Sequence, residues 1–409
     1  MTCSDASARS DNGLRLFVVA GEHSGDALGG KLMQALRASW DGAITFAGVG
    51  GDLMQAQGLE SLFPLSDIAV MGPIAIAKRL PLLVRRVRQT VDAAIAFAPG
   101  AVVIIDAPEF THAVAKRIRR RCPQIPIIDY VSPTVWAWRP GRARAMRPYV
   151  DHLMALLPFE PAAHARLGGP PCTYVGHPLV EQLDWIRALD PSPLASRLGL
   201  CGDRQVIAVL PGSRASEVAR LFDVFRETVR LLGANSGRYE VLMPVVPAMR
   251  EQIARQLSDW PRQVHLIDGD EDKWRAFKLA DAALAASGTV TLELAAAGVP
   301  TVVAYKVEPL VAPLLRRMIR TDKAALANHV LGDMIFPEFM QEDCMPENLS
   351  AALAELLRDG PTLLRQREAL ARVPDLLAVN SGSPSAAAAA IVLEHASTDR
   401  RPGRFSASQ

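Results

Sequence analysis

A lone carboxylate, Asp106, closes the apolar run Val102-Val103-Ile104-Ile105. An acid at the carboxyl end of a buried parallel strand stands where open α/β sheets hold ligands, and there it can take a proton from a substrate hydroxyl. It can equally cap the helix expected after Pro108, and position alone does not separate the two. A second chemical cluster follows another apolar run: Leu16–Ala20 leads into Gly21-Glu22-His23-Ser24-Gly25-Asp26. Ser24 or Asp26 reads as a helix N-cap. The crowding of Glu22 and Asp26 argues against a phosphate cradle and for contact with a sugar hydroxyl or a proton. No full G-x-G-x-x-G is present, so a dinucleotide site is disfavoured.

The second half of the chain holds the cationic counterpart. Arg214 follows Pro211-Gly212-Ser213 at the mouth of Gln205–Leu210. A guanidinium beside helix N–H groups suits a diphosphate, and near a helix start it opposes the dipole unless an anion is present. Ala282–Ala286 runs into Ser287-Gly288-Thr289, with Glu293 one turn further. The spacing of Glu293 from Thr289 is not that of a capping box; it fits either ribose hydroxyls or a favourable charge in a first turn.

Two further features complete the candidate set. Ser132, Trp136, Trp138 and Arg139 lie in one loop, with Arg142, Arg144 and Arg147 close behind. Paired tryptophans beside arginines suggest a wall for an anionic or amphipathic substrate. His177, between Gly176 and Pro178, reads as a hydrogen-bonded loop histidine or a catalytic one. The segment Pro73–Arg88 mixes Ile74, Ile76, Leu82 and Leu83 with Lys78, Arg79, Arg85 and Arg86, and Glu308–Arg320 repeats that mixture. Such segments can lie in a lipid interface or pack on their own protein.

The elements that must position these residues alternate. Strand-like runs at Leu16–Ala20, Ile44–Ala47, Ala101–Ile105, Ile125–Tyr130 and Leu153–Leu157 are separated by helical patterns, including Ala27–Ala38, Asp52–Gln57 and His112–Arg121. The rhythm restarts with Gln205–Leu210, Glu240–Pro244, Val264–Ile267, Ala282–Ala286 and Thr301–Tyr305. Continuous apolar runs alternating with helices predict parallel sheets covered on both faces. The expected fold class is α/β, with two domains facing each other across a central cleft. The expected division is residues 12–185 for the first domain and 200–365 for the second. Helices over 366–395 should pack back on an N-terminal domain, and 396–409 should form a disordered tail.

With 409 residues, two domains are the natural prior. A net charge of +2 gives no field that steers the chain toward nucleic acid. The five cysteines are scattered without C-x-x-C spacing, which fits a reducing cytoplasm and disfavours disulfides or zinc. No secretory signal pattern and no apolar run of about 18 residues is visible.

Taken together, these motifs resemble the lipid-A-disaccharide synthase family. The resemblance is carried in order by Ala20–Asp26, Gly48-Val49-Gly50-Gly51, Val70-Met71-Gly72, Ile105-Asp106-Ala107-Pro108, Tyr130–Arg139, Leu157-Pro158-Phe159-Glu160 and Tyr174–Leu179. It continues through Leu210–Arg214, Ser287-Gly288-Thr289 with Leu292-Glu293, Asn328, and Pro337-Glu338 with Gln341. The family implies a GT-B architecture of two Rossmann-like domains with parallel sheets facing a central cleft, residues 12–185 facing acceptor and membrane and 200–365 binding the UDP-sugar. It also implies inverting transfer of 2,3-diacylglucosamine from its UDP derivative to the 6-hydroxyl of 2,3-diacylglucosamine 1-phosphate. No cofactor or metal is implied. By position, Asp106 becomes the general base and Arg214, with Gly212 and Ser213, the holder of the UDP phosphates. Ser287–Thr289 and Glu293 hold the nucleoside, with Asn328 and Gln341 near the donor. Gly21, Glu22, Ser24, Gly25, Asp26, Ser132, Trp136, Trp138, Arg139 and His177 then line the acceptor side.

The implied location is cytoplasmic, peripheral on the cytosolic face of the inner membrane, and a homodimer is compatible with the sequence. The chain departs from the family pattern at Ala75, Glu109 and Thr111, which leaves those positions without an inherited role. The rival readings are a UDP-sugar epimerase of the same fold and a non-enzymatic nucleotide-binding regulator; a dehydrogenase lacks its fingerprint.

Overall fold

The computed structural model of the chain describes residues 13–69, 73–200, 202, 204–235, 239–308, 321–380 and 382–398. The apolar runs form β1 (Leu14–Ala20), β2 (Ile44–Val49), β3 (Ala101–Ile105), β4 (Ile127–Tyr130), β5 (His152–Ala155) and β6 (Cys172–Tyr174). A second series follows: β7 (Gln205–Leu210), β8 (Tyr239–Pro244), β9 (Val264–Ile267), β10 (Ala282–Ala286), β11 (Thr301–Tyr305) and β12 (Glu338–Met340). The first series pairs in the order β2-β1-β3-β4-β5-β6 and the second in the order β12-β11-β10-β7-β8-β9, with every pairing parallel.

Alternate residues of β1 feed opposite faces. Leu16, Val18 and Ala20 join one core cluster, and Phe17 and Val19 the other. A strand buried on both sides has no polar face to display, which is why these segments read as continuous apolar runs. The edge strands β6 and β12 are three residues long and half-exposed, so no apolar run announced them.

The chain divides into two compact units, one made of residues 1–178 and 378–409, the other of Leu179–Leu377. Both limits differ from the expected 185 and 366. Lys278 Nζ donates to the carbonyls of Ile186, Arg187 and Leu189, which ties the segment after Pro178 to the second unit. Gln366, almost fully buried, accepts from Thr301 N at 2.8 Å, which keeps the helix Pro361–Leu370 against β11. The helix Pro384–Thr398 packs on the helix His23–Ser39 of the first unit, with Ala388, Ala389, Val392 and Ala396 in its core. A Cβ at Gly176 would fall 2.9 Å from both Pro384 and Val379, so this glycine lets the returning segment pass. Ala396–Thr398 belong to that helix, which corrects the tail expected from residue 396; residues 399–409 lie outside the described residues.

Among the described residues no helix is long and apolar enough to cross a membrane.

Candidate active site

Each sheet reverses its strand order at one point, and ligands of open α/β sheets gather at the carboxyl ends there. In the first sheet that point is the β1–β3 pair, where Ala20 is registered with Ile105. The turns after these two strands, Gly21–Asp26 and Asp106–Pro108, are therefore neighbours. Gly21 N donates to Ile105 O at 3.2 Å, and a Cβ on Gly21 would lie 2.3 Å from Ala107 Cβ. Only glycine allows that approach. Gly25 is also packed tightly, its absent Cβ 3.2 Å from Ile105 O.

Asp106 and Ala107 both have positive φ, at 56° and 43°. Left-handed backbone at a non-glycine residue costs roughly 1–2 kcal/mol each, and such strain clusters at functional sites. Thr111 Oγ1 holds the turn by donating to Asp106 O at 2.7 Å, which gives this departure from the family pattern a structural role. The half-buried Asp106 carboxylate accepts from Ala107 N (2.7 Å) and from Ser24 Oγ (3.0 Å). Both partners are uncharged. Val131 (φ 92°) after β4 and Gln341 (φ 50°) after β12 continue this pattern of strained residues at strand ends.

Two expectations for the first turn are corrected. The helix begins at His23, four residues early, so its N-cap is the half-buried Glu22 and neither Ser24 nor Asp26 caps it. Asp26 is 4% exposed, and its carboxylate accepts from the amides of Gly51, Leu53 and Met54 at 2.7–3.0 Å. It caps the short helix Asp52–Gln55, a structural role that accounts for this buried carboxylate. Glu109 pairs with Arg142 at 2.7 Å. Burial would raise its pKa, but the Arg142 hydrogen bond and charge bring the net shift downward.

Beyond β4, Ser132 is buried while Trp136 and Trp138 are half-buried and Arg139 is exposed. Arg139 has φ 50° and its guanidinium stands 4.3 Å from the Trp138 ring centre. Trp136 Nε1 donates to Glu160 Oε1 at 3.2 Å. His177 is half-buried, and burial pushes its pKa down to about 4, too weak a base for proton abstraction at neutral pH. Beneath Asp106, His112 bridges Tyr149 (3.1 Å) and the fully buried Asp129 (3.0 Å), whose pKa is raised by burial against the pull of the histidine.

In the second sheet the reversal falls at β7–β10, where Leu210 is registered with Ala285. Gly212–Arg214 and Ser287–Thr289 are thus neighbouring turns. Gly212 has φ 126°, and a Cβ there would lie 2.6 Å from Glu217 Cβ. Glu217 Oε2 accepts from the amides of Ser213 (3.1 Å) and Arg214 (3.3 Å), while Oε1 pairs with Arg214 Nη1 at 2.9 Å. These amides, expected to meet a diphosphate, are held by the chain's own carboxylate. The Arg214 side chain is 58% exposed, so its guanidinium is the group within reach of an outside anion.

Ser287 Oγ donates to Ala324 O at 2.9 Å, and Gly288 and Thr289 are exposed. Glu293 pairs with Lys273 at 3.0 Å, and Lys273 also pairs with Asp270 at 2.8 Å. Burial pulls the Lys273 pKa down, but the two carboxylates outweigh it and the net shift is upward. Asn328 is fully buried; its amide group donates to Phe336 O and Glu338 Oε1, and its oxygen accepts from Ile335 and Phe336 amides. That corrects the expectation of direct donor contact: Asn328 shapes the loop before β12. Glu338 completes the frame by accepting from Ala324 and Ala325 amides at 2.6 and 2.9 Å. Gln341 N donates to Tyr305 O, and its Oε1 accepts from Val307 N at 3.3 Å.

The helix Pro73–Phe97 splits the expected membrane residues. Arg86 pairs with Asp67 at 2.5 Å and lies 4.6 Å from the Phe63 ring centre, Leu83 packs on the core, and Leu82 is half-buried. Arg79 donates to Ser66 O at 2.9 Å. The outward stripe is Leu80, Val84, Arg85 and Arg88, with Leu80 53% and Val84 37% exposed. The side chains of Ile74, Ile76 and Lys78, together with Val70-Met71-Gly72 and residues 309–320, lie outside the described residues.

Glu217, Lys273, Glu338 and Glu160 were not singled out as site residues from sequence. Glu217 could have been, standing at i+3 from Arg214, as could Lys273 at i+3 from Asp270; the pairs Lys273–Glu293, Glu338–Asn328 and Glu160–Trp136 are contacts that spacing does not reveal.

Two parallel sheets, each flanked by helices and each with its polar groups at a strand-order reversal, define a GT-B-like α/β protein. Its fold is that of the UDP-GlcNAc 2-epimerase from Neisseria meningitidis bound to UDP-GlcNAc, at TM-score 0.63, with 93% of this chain and 99% of that one covered. At 13% identity that likeness speaks for fold alone. The sequence goes further. The family model described as lipid-A-disaccharide synthetase matches residues 16–392, and the chain belongs to that family. It is 50% identical over 388 residues to the lipid-A-disaccharide synthase of Nitrobacter hamburgensis, covering 95% of this chain and 97% of that protein. It is 51% identical to that of Rhodopseudomonas palustris strain HaA2, covering 93% and 95%.

Proposed function

We propose that this glycosyltransferase joins two acylated glucosamines, using UDP-2,3-diacylglucosamine as donor and 2,3-diacylglucosamine 1-phosphate as acceptor. The observation that carries the reading is Asp106: a carboxylate on a strained turn, with two uncharged partners, at the reversal point of a sheet in a chain half identical to lipid-A-disaccharide synthases. The acceptor 6-hydroxyl gives its proton to Asp106 as its oxygen attacks the anomeric carbon. The bond from that carbon to the diphosphate oxygen breaks, and UDP leaves with the electron pair. The anomeric centre inverts, giving a β-1,6 disaccharide 1-phosphate. Ser24, donating to Asp106, keeps the receiving carboxylate oriented.

The second unit supplies the donor contacts. Arg214 turns from Glu217 to the diphosphate, where its charge offsets what develops on the leaving group. Exposed Gly288 and Thr289 lie at the start of the helix Val290–Ala296, and Glu293, paired with Lys273, accepts from ribose hydroxyls. Gln341 adds a side-chain amide, and Gly212 and Ser213 shape the turn. Glu22, Trp136, Trp138 and Arg139 meet the acceptor. Leu80, Val84, Arg85 and Arg88 rest on the inner membrane's cytosolic surface, each basic residue adding roughly 1 kcal/mol near anionic lipid.

The test is incubation of purified protein in detergent with both substrates and EDTA, read by mass spectrometry. A disaccharide 1-phosphate that appears with UDP only when the acceptor is present is the expected result. A UDP-sugar isomer formed without acceptor would transfer the assignment to an epimerase.

A further inference from the structure

We propose that Glu160 is a positioning residue for the reaction: its carboxylate, accepting from Trp136 Nε1, holds the tryptophan loop 132–139 in its working shape. Glu160 opens the helix Glu160–Leu167 and is 3% exposed. Oε1 accepts from Trp136 Nε1 at 3.2 Å and Oε2 from Leu157 N at 3.1 Å. The same loop is anchored one turn further along that helix, where fully buried His164 places Nε2 2.9 Å from Ser132 Oγ. Ser132 Oγ also lies 3.0 Å from Pro133 O and is hydrogen-bonded to the Glu160 carboxylate, so the serine joins the loop to both polar residues of the helix. His164 Nδ1 faces Gly169, whose missing Cβ would lie 2.5 Å away.

Among the described residues, the groups that face Glu160 carry no positive charge. Burial pushes His164 down to about 4, so it is neutral. Cys172, raised to about 12 by burial and then by the Glu160 and Asp129 charges, stays a thiol, and Tyr174 is raised for the same first reason. Trp136 and Ser132 complete the surroundings. A buried carboxyl without a cation destabilises the fold when it ionises, and a glutamine or an apolar side chain would avoid that penalty. An ionised acceptor, however, binds an N–H about twice as strongly as a neutral one. The network exchanges stability for a firmly held Trp136. Burial pushes Glu160 up to about 7, so the hold tightens as pH rises through neutrality.

The inference rests on the proposed transfer and is tested with the full chain, measuring kcat/KM for disaccharide formation from pH 5.5 to 8.5. Wild-type kcat/KM should rise roughly tenfold between pH 6 and 8, as expected for one group titrating near 7. Glu160→Gln keeps an oxygen for Trp136 but cannot ionise, so its profile should be flat there, near the low-pH level of wild type and about tenfold below wild type at pH 8. Trp136→Phe, which spares the buried helix, should flatten the same limb. A rise in Glu160→Gln with the wild-type midpoint would overturn the inference, as would an unchanged profile in Trp136→Phe. Absence of any disaccharide from wild-type protein would instead count against the proposed function.

Discussion

The two sheets use the same reversal point in opposite ways. In the first unit the acids are left without a cation: Asp106, at β1–β3, has a hydroxyl and an amide for partners, and Glu160, after β5, has an indole, a hydroxyl and backbone amides. At β7–β10 the charges are matched among themselves, Arg214 with Glu217 and Glu293 with Lys273, while Asn328 and Glu338 satisfy each other and the loop around them. A carboxylate that must accept a proton is weakened by a cation beside it, because the cation lowers its pKa. A site that must receive and release an anion gains from an internal carboxylate that occupies its arginine between turnovers. Charge pairing, more than residue identity, separates the half proposed to perform proton transfer from the half proposed to bind the nucleotide.

That contrast can be broken from either side. The largest effect should come from Asn328→Ala, which strips a fully buried amide from four backbone and side-chain partners. Leaving buried groups unsatisfied costs about 1–3 kcal/mol each, so thermal unfolding should shift down by several degrees, with KM changed only through the fold. A variant with native melting and a selectively raised KM would restore the direct donor contact that the hydrogen bonds argue against.

Next is Glu160→Gln, read by unfolding against pH. The folded pKa is raised from 4.5 to about 7, so the wild-type stability is whole below about 4.5 and is lost as pH climbs through 7. The glutamine variant should gain on wild type over that window, by at most about 3 kcal/mol at pH 8. An equal gain at pH 4 and pH 8 would mean the carboxyl does not titrate there. Arg214→Ala should lower kcat/KM for UDP-sugar roughly tenfold or more, with kcat falling as well as KM rising, since a charge-assisted hydrogen bond contributes about 1.5–3 kcal/mol and part of this one offsets charge on the leaving group; an unchanged kcat/KM would remove Arg214 from the donor site. The smallest effect belongs to the outer helix stripe. Replacing Arg85 and Arg88 together should weaken binding to anionic vesicles by about 1–2 kcal/mol and leave binding to neutral ones alone. Salt-insensitive binding would remove the membrane contact.

Much of this was legible in the chain. Continuous apolar runs marked the central strands to within a residue or two, because burial on both faces leaves no alternation to blur them. Asp106, Gly212–Arg214 and Ser287–Thr289 were found by following those runs to their ends. What stayed hidden was the fate of each polar group. Asp26 looked like a site carboxylate until Gly51, Leu53 and Met54 were seen to occupy it. Arg85 and Arg86 are adjacent in sequence, yet one is exposed and the other is paired with Asp67 across the core edge. The short strands β6 and β12 carry too few apolar residues to signal themselves, and Glu160 reads as an ordinary first-turn acid until its burial is known.

Proton transfer is proposed for Asp106 and nucleotide binding for the other unit, and measuring kcat and UDP affinity together in Asp106→Ala separates the two. The expected kcat is at least about 10²-fold below wild type, the usual scale for losing a general base, with UDP binding unchanged within about twofold. Retained turnover, or UDP affinity that falls in step with turnover, would overturn that division.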